Sequence, residues 1–234
     1  MQPFPFTPPR EQDVHVWQWH LDASDFDLHW ERLSEKERGR ADKFRFARHR
    51  HRFVAARGEL RRILGAYLGV PPHRIEFGYG MEGKPYCLTQ PPGWRICFNL
   101  SHSENAAALA IANGFEVGID IEQVRPVEAS VTREVFSPDE RAQFDALPDH
   151  ERQRVFFESW VRKEACLKAL GTGFARPPTH FEFDLTIPGD TAPRFVGGDA
   201  EEARHWRIRA LSAGPSRAGS VAARCLDWSV VEVA

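Results

Sequence analysis

The chain reads as an α+β protein, and three observations carry that reading. Two stretches, residues 48–68 and 149–170, repeat their apolar residues at the 3/4 spacing of a helix with one buried face, and each stops at a glycine. Several short segments rich in β-branched and aromatic residues read as strands. These elements are grouped, helices first and strands after, in each half of the chain, which suggests a division near Asn113 into residues 1–113 and 114–234.

Residues 1–12 are proline-rich and read as a loosely held arm. Residues 14–21 form the first strand. Ser34 with Glu37 three positions later is a capping box that starts a helix. In the helix of residues 48–68, Phe53, Ala56, Leu60, Ile63, Leu64, Tyr67 and Leu68 share one face, and Gly69 ends it. Ile75 and Phe77 belong to a short strand that runs into the glycine-rich turn at residues 78–83. Residues 95–100 and 106–112 are strand-like. Asn113-Gly114 is a strong two-residue hairpin signal, leading into a strand over residues 115–122. Ser137-Pro138-Asp139-Glu140 opens another helix with proline at its first position and a capping-box glutamate. The helix of residues 149–170 follows and stops at Gly171. From His180 the tail alternates apolar and polar residues and reads as antiparallel β structure. No internal repeat is visible.

Bulk properties bound the function. The 234 residues are 42% hydrophobic and 27% charged, which suits a folded core. A formal charge of −2 provides no overall attraction to nucleic acid or to an anionic membrane. The longest apolar run, residues 106–112, is far too short to span a bilayer. The opening MQPFPFTPPR has neither a basic region nor an apolar core, so no secretory signal is expected. Cys87, Cys97, Cys166 and Cys225 form no CxxC pair, which argues against a zinc or redox motif and for a reducing cytoplasm.

The most informative segment is Val117-Gly118-Ile119-Asp120-Ile121-Glu122. In a strand Val117, Ile119 and Ile121 share a face and fit a core, while Gly118, Asp120 and Glu122 share the other. The two acids start from Cα atoms about 6–7 Å apart. Unpaired, they repel and one pKa rises; a divalent cation removes the conflict, and hard oxygen ligands suit Mg²⁺ or Mn²⁺. Gly118 leaves space beside them, as a bulky diphosphate needs. The bland alternative is an edge strand with a solvated acidic face.

A second acid stands in the helix Phe157–Lys168, where Glu164 and Lys168 are four apart and neighbour each other. A glutamate beside a lysine can be held ionised to ligate metal and accept a proton, and the lysine can neutralise a phosphate oxygen. The plainer reading is an ordinary i,i+4 pair worth about 0.2–0.5 kcal/mol. Lys163 interrupts the apolar stripe of Phe156, Trp160, Leu167 and Leu170, and the helix exits through Gly171-Thr172-Gly173, both of which weigh against it.

GIDIE at residues 118–122 and WVRKEACLK at 160–168 resemble the two signature motifs of the 4′-phosphopantetheinyl transferase superfamily, in order and separation. FNLSHS at 98–103 resembles its motif for the phosphates of coenzyme A, and GKP at 83–85 its adenine and phosphate turn. Residues 34–68 are similar to the N-terminal helical region of the surfactin-synthetase-activating type. The resemblance implies two similar α+β halves about a pseudo-twofold axis with a cofactor cleft between them. It implies metal ligands at Asp120, Glu122 and Glu164 for Mg²⁺ (or Mn²⁺), with Glu164 and Lys168 catalytic. Arg40, Arg57, Lys84, Pro85, Ser101, His102 and Lys168 would bind coenzyme A. The activity implied is transfer of phosphopantetheine to a serine of an acyl, polyketide or peptidyl carrier protein by a cytoplasmic monomer, with no nucleic acid or membrane partner.

The ten lysines and arginines between Arg38 and Arg62 admit three readings: a solvated helix face, a nucleic-acid patch, or anion binding by a few of them. Outside their motifs, His102 would be a structural histidine and Lys84-Pro85 a turn. Two rival functions remain: a metal-dependent phosphoesterase or nucleotidyl transferase, which the same acids could serve, and a non-catalytic coenzyme A-binding module, against which the intact Asp120, Glu122, Glu164 and Lys168 argue.

Overall fold

In a computed structural model, which describes residue 7 and residues 9–22, 25–172 and 175–233, both long helices end where the sequence places a glycine. Gly69 and Gly171 take left-handed conformations at φ 66° and 68°, which an L side chain disfavours. Residues 1–6 and 8 of the proline-rich arm, and Gly173, lie outside the described residues. In chain order the elements are β1 (Asp13–His20), α1 (Phe26–Arg32), α2 (Glu35–Ala41), α3 (Ala47–Leu68), β2 (Phe77–Tyr79), β3 (Pro85–Cys87), β4 (Ile96–Ser103), β5 (Ala106–Asn113), β6 (Val117–Gln123), α4 (Ala129–Val135), α5 (Pro138–Asp145), α6 (Asp149–Leu170), β7 (Phe181–Glu182), β8 (Phe195–Val196), α7 (Ala200–Ala203), β9 (Arg207–Ala210), β10 (Arg217–Ala223) and β11 (Ser229–Val233). The mixed α+β composition agrees with the sequence.

Both capping boxes form. Ser34 caps α2 and Ser137 caps α5, each serine oxygen accepting from the glutamate amide three positions on and each glutamate accepting from the serine amide in return. Helix α1 is not anticipated by the apolar period. Its seven residues are too few to show one, and Asp25 caps it by accepting from the Leu28 amide at 3.1 Å.

The two larger sheets stack. One runs β11-β1-β5-β4 and the other β6-β10-β9. In β5 the face that meets the second sheet carries Ala108, Ala110 and Ala112, packed with Val14, Val16, Val117, Ile119, Ile121 and Val221. Small side chains there let the sheets approach closely. The opposite face carries Leu109 and Ile111, which pack with Trp17 and with Leu60, Ile63 and Leu64 of α3. On the far side of the second sheet, α6 lays Phe157, Val161, Ala165 and Ala169 against Ile208, Ala218 and Ala222. The order of layers is therefore α3, sheet, sheet, α6.

Several sequence expectations are corrected. Asn113-Gly114 makes a turn, with Gly114 at φ 90°, but not a hairpin. Both edges of β5 are already paired, to β1 and β4, so the chain leaves for the other sheet and β6 pairs with β10. Ile75 ends a short 3-10 turn rather than starting a strand. The tail is not wholly antiparallel, because β11 pairs parallel to β1, with Trp17 opposite Val233. Leu170, at the end of α6, is exposed. Lys163 interrupts the apolar stripe for a structural reason. Fully buried, it donates to the capping-box Glu140 at 2.7 Å and to the Phe181 carbonyl at 2.6 Å, joining α5, α6 and β7.

Gly118 does not leave room for a ligand. A Cβ there would overlap the Ala165 carbonyl oxygen and the Ala169 nitrogen, both backbone atoms of α6. The glycine lets strand and helix touch. Gly118→Ala is therefore expected to cost about 3 kcal/mol or more by urea denaturation, because the clash is with helix backbone that cannot move aside locally.

Candidate active site

The site grows from the contact between β4 and β6. Strand β6 is an edge of its sheet, and its unpaired backbone faces β4. Alternate side chains of β4 take the place of a backbone ladder. The Ile119 amide donates to Asn99 Oδ1 at 3.0 Å, the Ile121 amide to Ser101 Oγ at 3.4 Å and the Gln123 amide to Ser103 Oγ at 3.1 Å. Period-two geometry puts Asn99, Ser101 and Ser103 on one face of β4 and turns His102 away from them. FNLSHS is thus first a seam between two sheets. Asn99 and Ser103 are missed by motif reasoning; the signal for them is the polar-apolar alternation of this segment.

The serines also hold the acids. Ser101 Oγ donates to Asp120 Oδ1 at 2.8 Å, and Ser103 Oγ donates to Glu122 Oε2 at 2.7 Å. Asp120 and Glu122 share the face of β6 that bears Gly118, so they look toward α6. Their cross-strand neighbours on β10, Ser220 and Ala218, are small. From α6, Lys168 donates to Asp120 Oδ1 at 2.5 Å and to Ser101 Oγ at 3.1 Å. Asp120 is 3% exposed, which excludes a solvated acidic edge for it. Its second oxygen, Oδ2, is buried without a hydrogen-bond partner among the described residues.

Glu164 lies one turn before Lys168, but the expected i,i+4 pair gives way to the pair of Lys168 with Asp120. Lys168 does not hold Glu164 at an ordinary carboxylate pKa. Burial first, and then the charge of Asp120, push its carboxyl above the usual range, and Lys168 only partly offsets them. Glu122 is likewise raised by burial, with Ser103 pulling it down and Asp120 pushing it up. Three carboxyls from one strand and one helix thus gather around Lys168, with Arg125 acting on Glu122 as well.

Among the described residues, no three His, Cys, Asp or Glu side chains are gathered closely enough to enclose a metal ion. The Lys168 ammonium lies against Asp120 Oδ1, where the sequence reading expects a shared cation. The chemistry of the donors nonetheless fits one. An orphaned buried oxygen of Asp120 and two carboxyls raised by burial and by neighbouring negative charge are a deficit of positive charge that a hard divalent cation removes.

The remaining candidates divide. His102 has one side in solvent, yet the protein packed about its ring, then the charge of Lys168 and, more weakly, Arg40, hold it below its usual pKa; it therefore senses the same group. Arg40 is exposed and stacks over Phe53, 5.2 Å to the ring centre. Arg57 is engaged elsewhere, donating to Glu37 Oε1 at 2.8 Å and lying over Phe77. Lys84 bonds Glu116 Oε2 at 2.9 Å, the Val117 carbonyl at 3.0 Å and the Ala169 carbonyl at 3.2 Å, tying the β2–β3 hairpin to the start of β6 and the end of α6. With Pro85, Tyr86, Phe98 and Leu170 it lines a crevice of about 370 Å³. A wider cavity of about 1030 Å³ lies by α2 and includes Ser34, Arg38, Arg61, Arg74 and Phe77 but none of the candidate residues. The carboxylate chemistry, not cavity size, marks the site.

Comparison with known proteins points the same way in both halves. The family model described as "4′-phosphopantetheinyl transferase superfamily" matches residues 116–224, and one described as "4′-phosphopantetheinyl transferase, N-terminal" matches residues 17–113. The 4′-phosphopantetheinyl transferase HetI of Nostoc sp. strain PCC 7120 is 42% identical over 168 residues, 70% of this chain and 71% of that protein. The 4′-phosphopantetheinyl transferase psf-1 of Bacillus pumilus is 30% identical over 168 residues, 72% of this chain and 70% of that protein. A 4′-phosphopantetheinyl transferase of Bacillus subtilis is 28% identical over 178 residues, 76% of this chain and 78% of that protein.

The electrostatics set a sign that can be checked. Carboxyls with raised folded pKa values stabilise the fold fully only below the ordinary carboxylate range, and that stabilisation is lost as pH rises through the raised values. Glu164→Gln is therefore expected to raise the metal-free Tm at neutral pH while abolishing most of the Tm gain on adding Mg²⁺. In the unsubstituted protein that gain shrinks from about pH 7.5 to about pH 5, as the acids take up protons that compete with the ion.

Proposed function

The chain belongs to the 4′-phosphopantetheinyl transferase superfamily, and from that membership we propose that it moves the phosphopantetheine arm of coenzyme A onto a serine of an acyl, polyketide or peptidyl carrier protein. The observation that carries the mechanistic reading is Asp120, buried with one oxygen on Lys168 and Ser101 and the other without a partner among the described residues.

In this reading coenzyme A lies between residues 1–113 and 114–234. Arg40, His102 and Lys84 take its phosphates, with Arg57 in support, Pro85 shaping the adenine turn and Ser101 at the floor. Lys84 would exchange the exposed Glu116 for a phosphate oxygen. Asp120, Glu122 and Glu164 would hold Mg²⁺ or Mn²⁺, which supplies charge neutralisation at the diphosphate. Lys168 turns from Asp120 Oδ1 to a non-bridging oxygen of the phosphoryl group. The carrier serine oxygen attacks the phosphorus that bears the pantetheine arm as its bond to the leaving phosphate breaks. Glu164, directly or through a water, takes the serine proton; a carboxyl raised by burial suits that task better than an ordinary one. Adenosine 3′,5′-bisphosphate departs. The enzyme works as a cytoplasmic monomer, and no helix among its described residues is long and apolar enough to cross a membrane.

Incubating the protein with coenzyme A, Mg²⁺ and an apo carrier protein should raise the carrier's mass by roughly 340 Da, one phosphopantetheine. Asp120→Asn and Lys168→Ala should each slow this at least about 100-fold, the scale for a lost charge-stabilising group. Coenzyme A cleaved without any mass gain on the carrier would favour a phosphoesterase instead.

A further inference from the structure

We propose that Ser103 is the positioning residue for the Glu122 carboxylate, fixing which of its oxygens is left for the divalent cation; this rests on the transferase reading above. The hydroxyl of Ser103 does two things at once. It accepts from the Gln123 amide at 3.1 Å and donates to Glu122 Oε2 at 2.7 Å. Two residues earlier, Ser101 repeats the arrangement, accepting from the Ile121 amide and donating to Asp120 Oδ1. In each case the serine binds the amide of one residue and the carboxylate of the residue before it.

The third member of the series shows why the hydroxyl is needed. Asn99 accepts from the Ile119 amide, and the residue before that amide is Gly118, which has no carboxylate to hold. Hydroxyls therefore stand at the seam where an acid must be oriented, and an amide stands where none is present. A side chain that serves both bonds has to accept and donate from one short atom, which serine and threonine do and alanine cannot. One oxygen of each acid is thereby spent within the seam. Asp120 Oδ2 is left buried and without a partner among the described residues, and Glu122 keeps Oε1 outside the Ser103 bond. Orienting partners of this kind commonly change metal affinity by about 10–100-fold when removed.

The test titrates MnCl₂ alone into the protein by calorimetry and follows hydrogen exchange at the Gln123 amide. Ser103→Ala should weaken Mn²⁺ at least about tenfold and speed exchange at Gln123, and Ser103→Thr should restore both. Asn99→Ala removes a seam bond but no carboxylate partner, so it should speed exchange at Ile119 and leave Mn²⁺ affinity unchanged. The proposal is overturned if Ser103→Ala binds Mn²⁺ like the unsubstituted protein, or if Asn99→Ala weakens Mn²⁺ as much, since the effect would then belong to the seam as a whole. If the unsubstituted protein binds no Mn²⁺, or Asp120→Asn binds it equally well, the metal reading beneath the proposal fails and the proposal fails with it.

Discussion

The structure depends on the bonds by which Asn99, Ser101 and Ser103 satisfy the open edge of β6. A buried amide left without a partner costs about 1–3 kcal/mol, so three of them could not simply be left open. A backbone ladder would satisfy them, but would draw β4 and β6 to the spacing of about 4.8 Å typical of paired strands and merge the two sheets. Side chains bridge the gap while keeping the sheets distinct. They also bring donors to the one place where β6 carries two acids.

A second constraint is the contact of Gly118 with α6. It holds the helix close enough for Lys168 to cross to Asp120, and so sets the distance between acids that are far apart in the chain. The resulting group is electrostatically uncomfortable. Two of its carboxyls sit above their usual pKa because burial and like charge outweigh Lys168 and, at Glu122, also Ser103 and Arg125. Other buried charges are matched, Lys163 by Glu140 and Glu37 by Arg57 and Arg61, while buried Arg162 donates to the Gly189 carbonyl. An excess of buried negative charge is expected where binding a ligand, rather than the fold alone, has shaped the residues.

What could be read from the sequence was whatever depends on residues near one another in the chain. Both capping boxes, both glycine stops and the two-faced strand at Val117–Gln123 are local, and each formed at or within a few residues of its expected place. What could not be read needs a distant partner. The sheet change after Asn113 follows from β1 occupying the other edge of β5, and the parallel pairing of β11 joins the two ends of the chain. In sequence Lys163 only breaks an apolar stripe, because its partner Glu140 is distant, and Gly118 reads as empty space, because Ala165 is. At the site, the acids and Lys168 were visible as motifs. The seam roles of Asn99 and Ser103 were not, because a strand's partner across a gap leaves only a faint polar alternation.

The central claim is that the β4–β6 seam and α6 together present Asp120, Glu122 and Glu164 to one divalent cation. Paramagnetic broadening of backbone amide signals during Mn²⁺ titration of ¹⁵N-labelled protein tests it most directly. Saturable broadening is expected, centred on residues 120–122 and 163–165 at the same Mn²⁺ concentration and reversed by excess Mg²⁺. Broadening of the strand residues without the helix residues, or broadening centred elsewhere on the molecule, would contradict it.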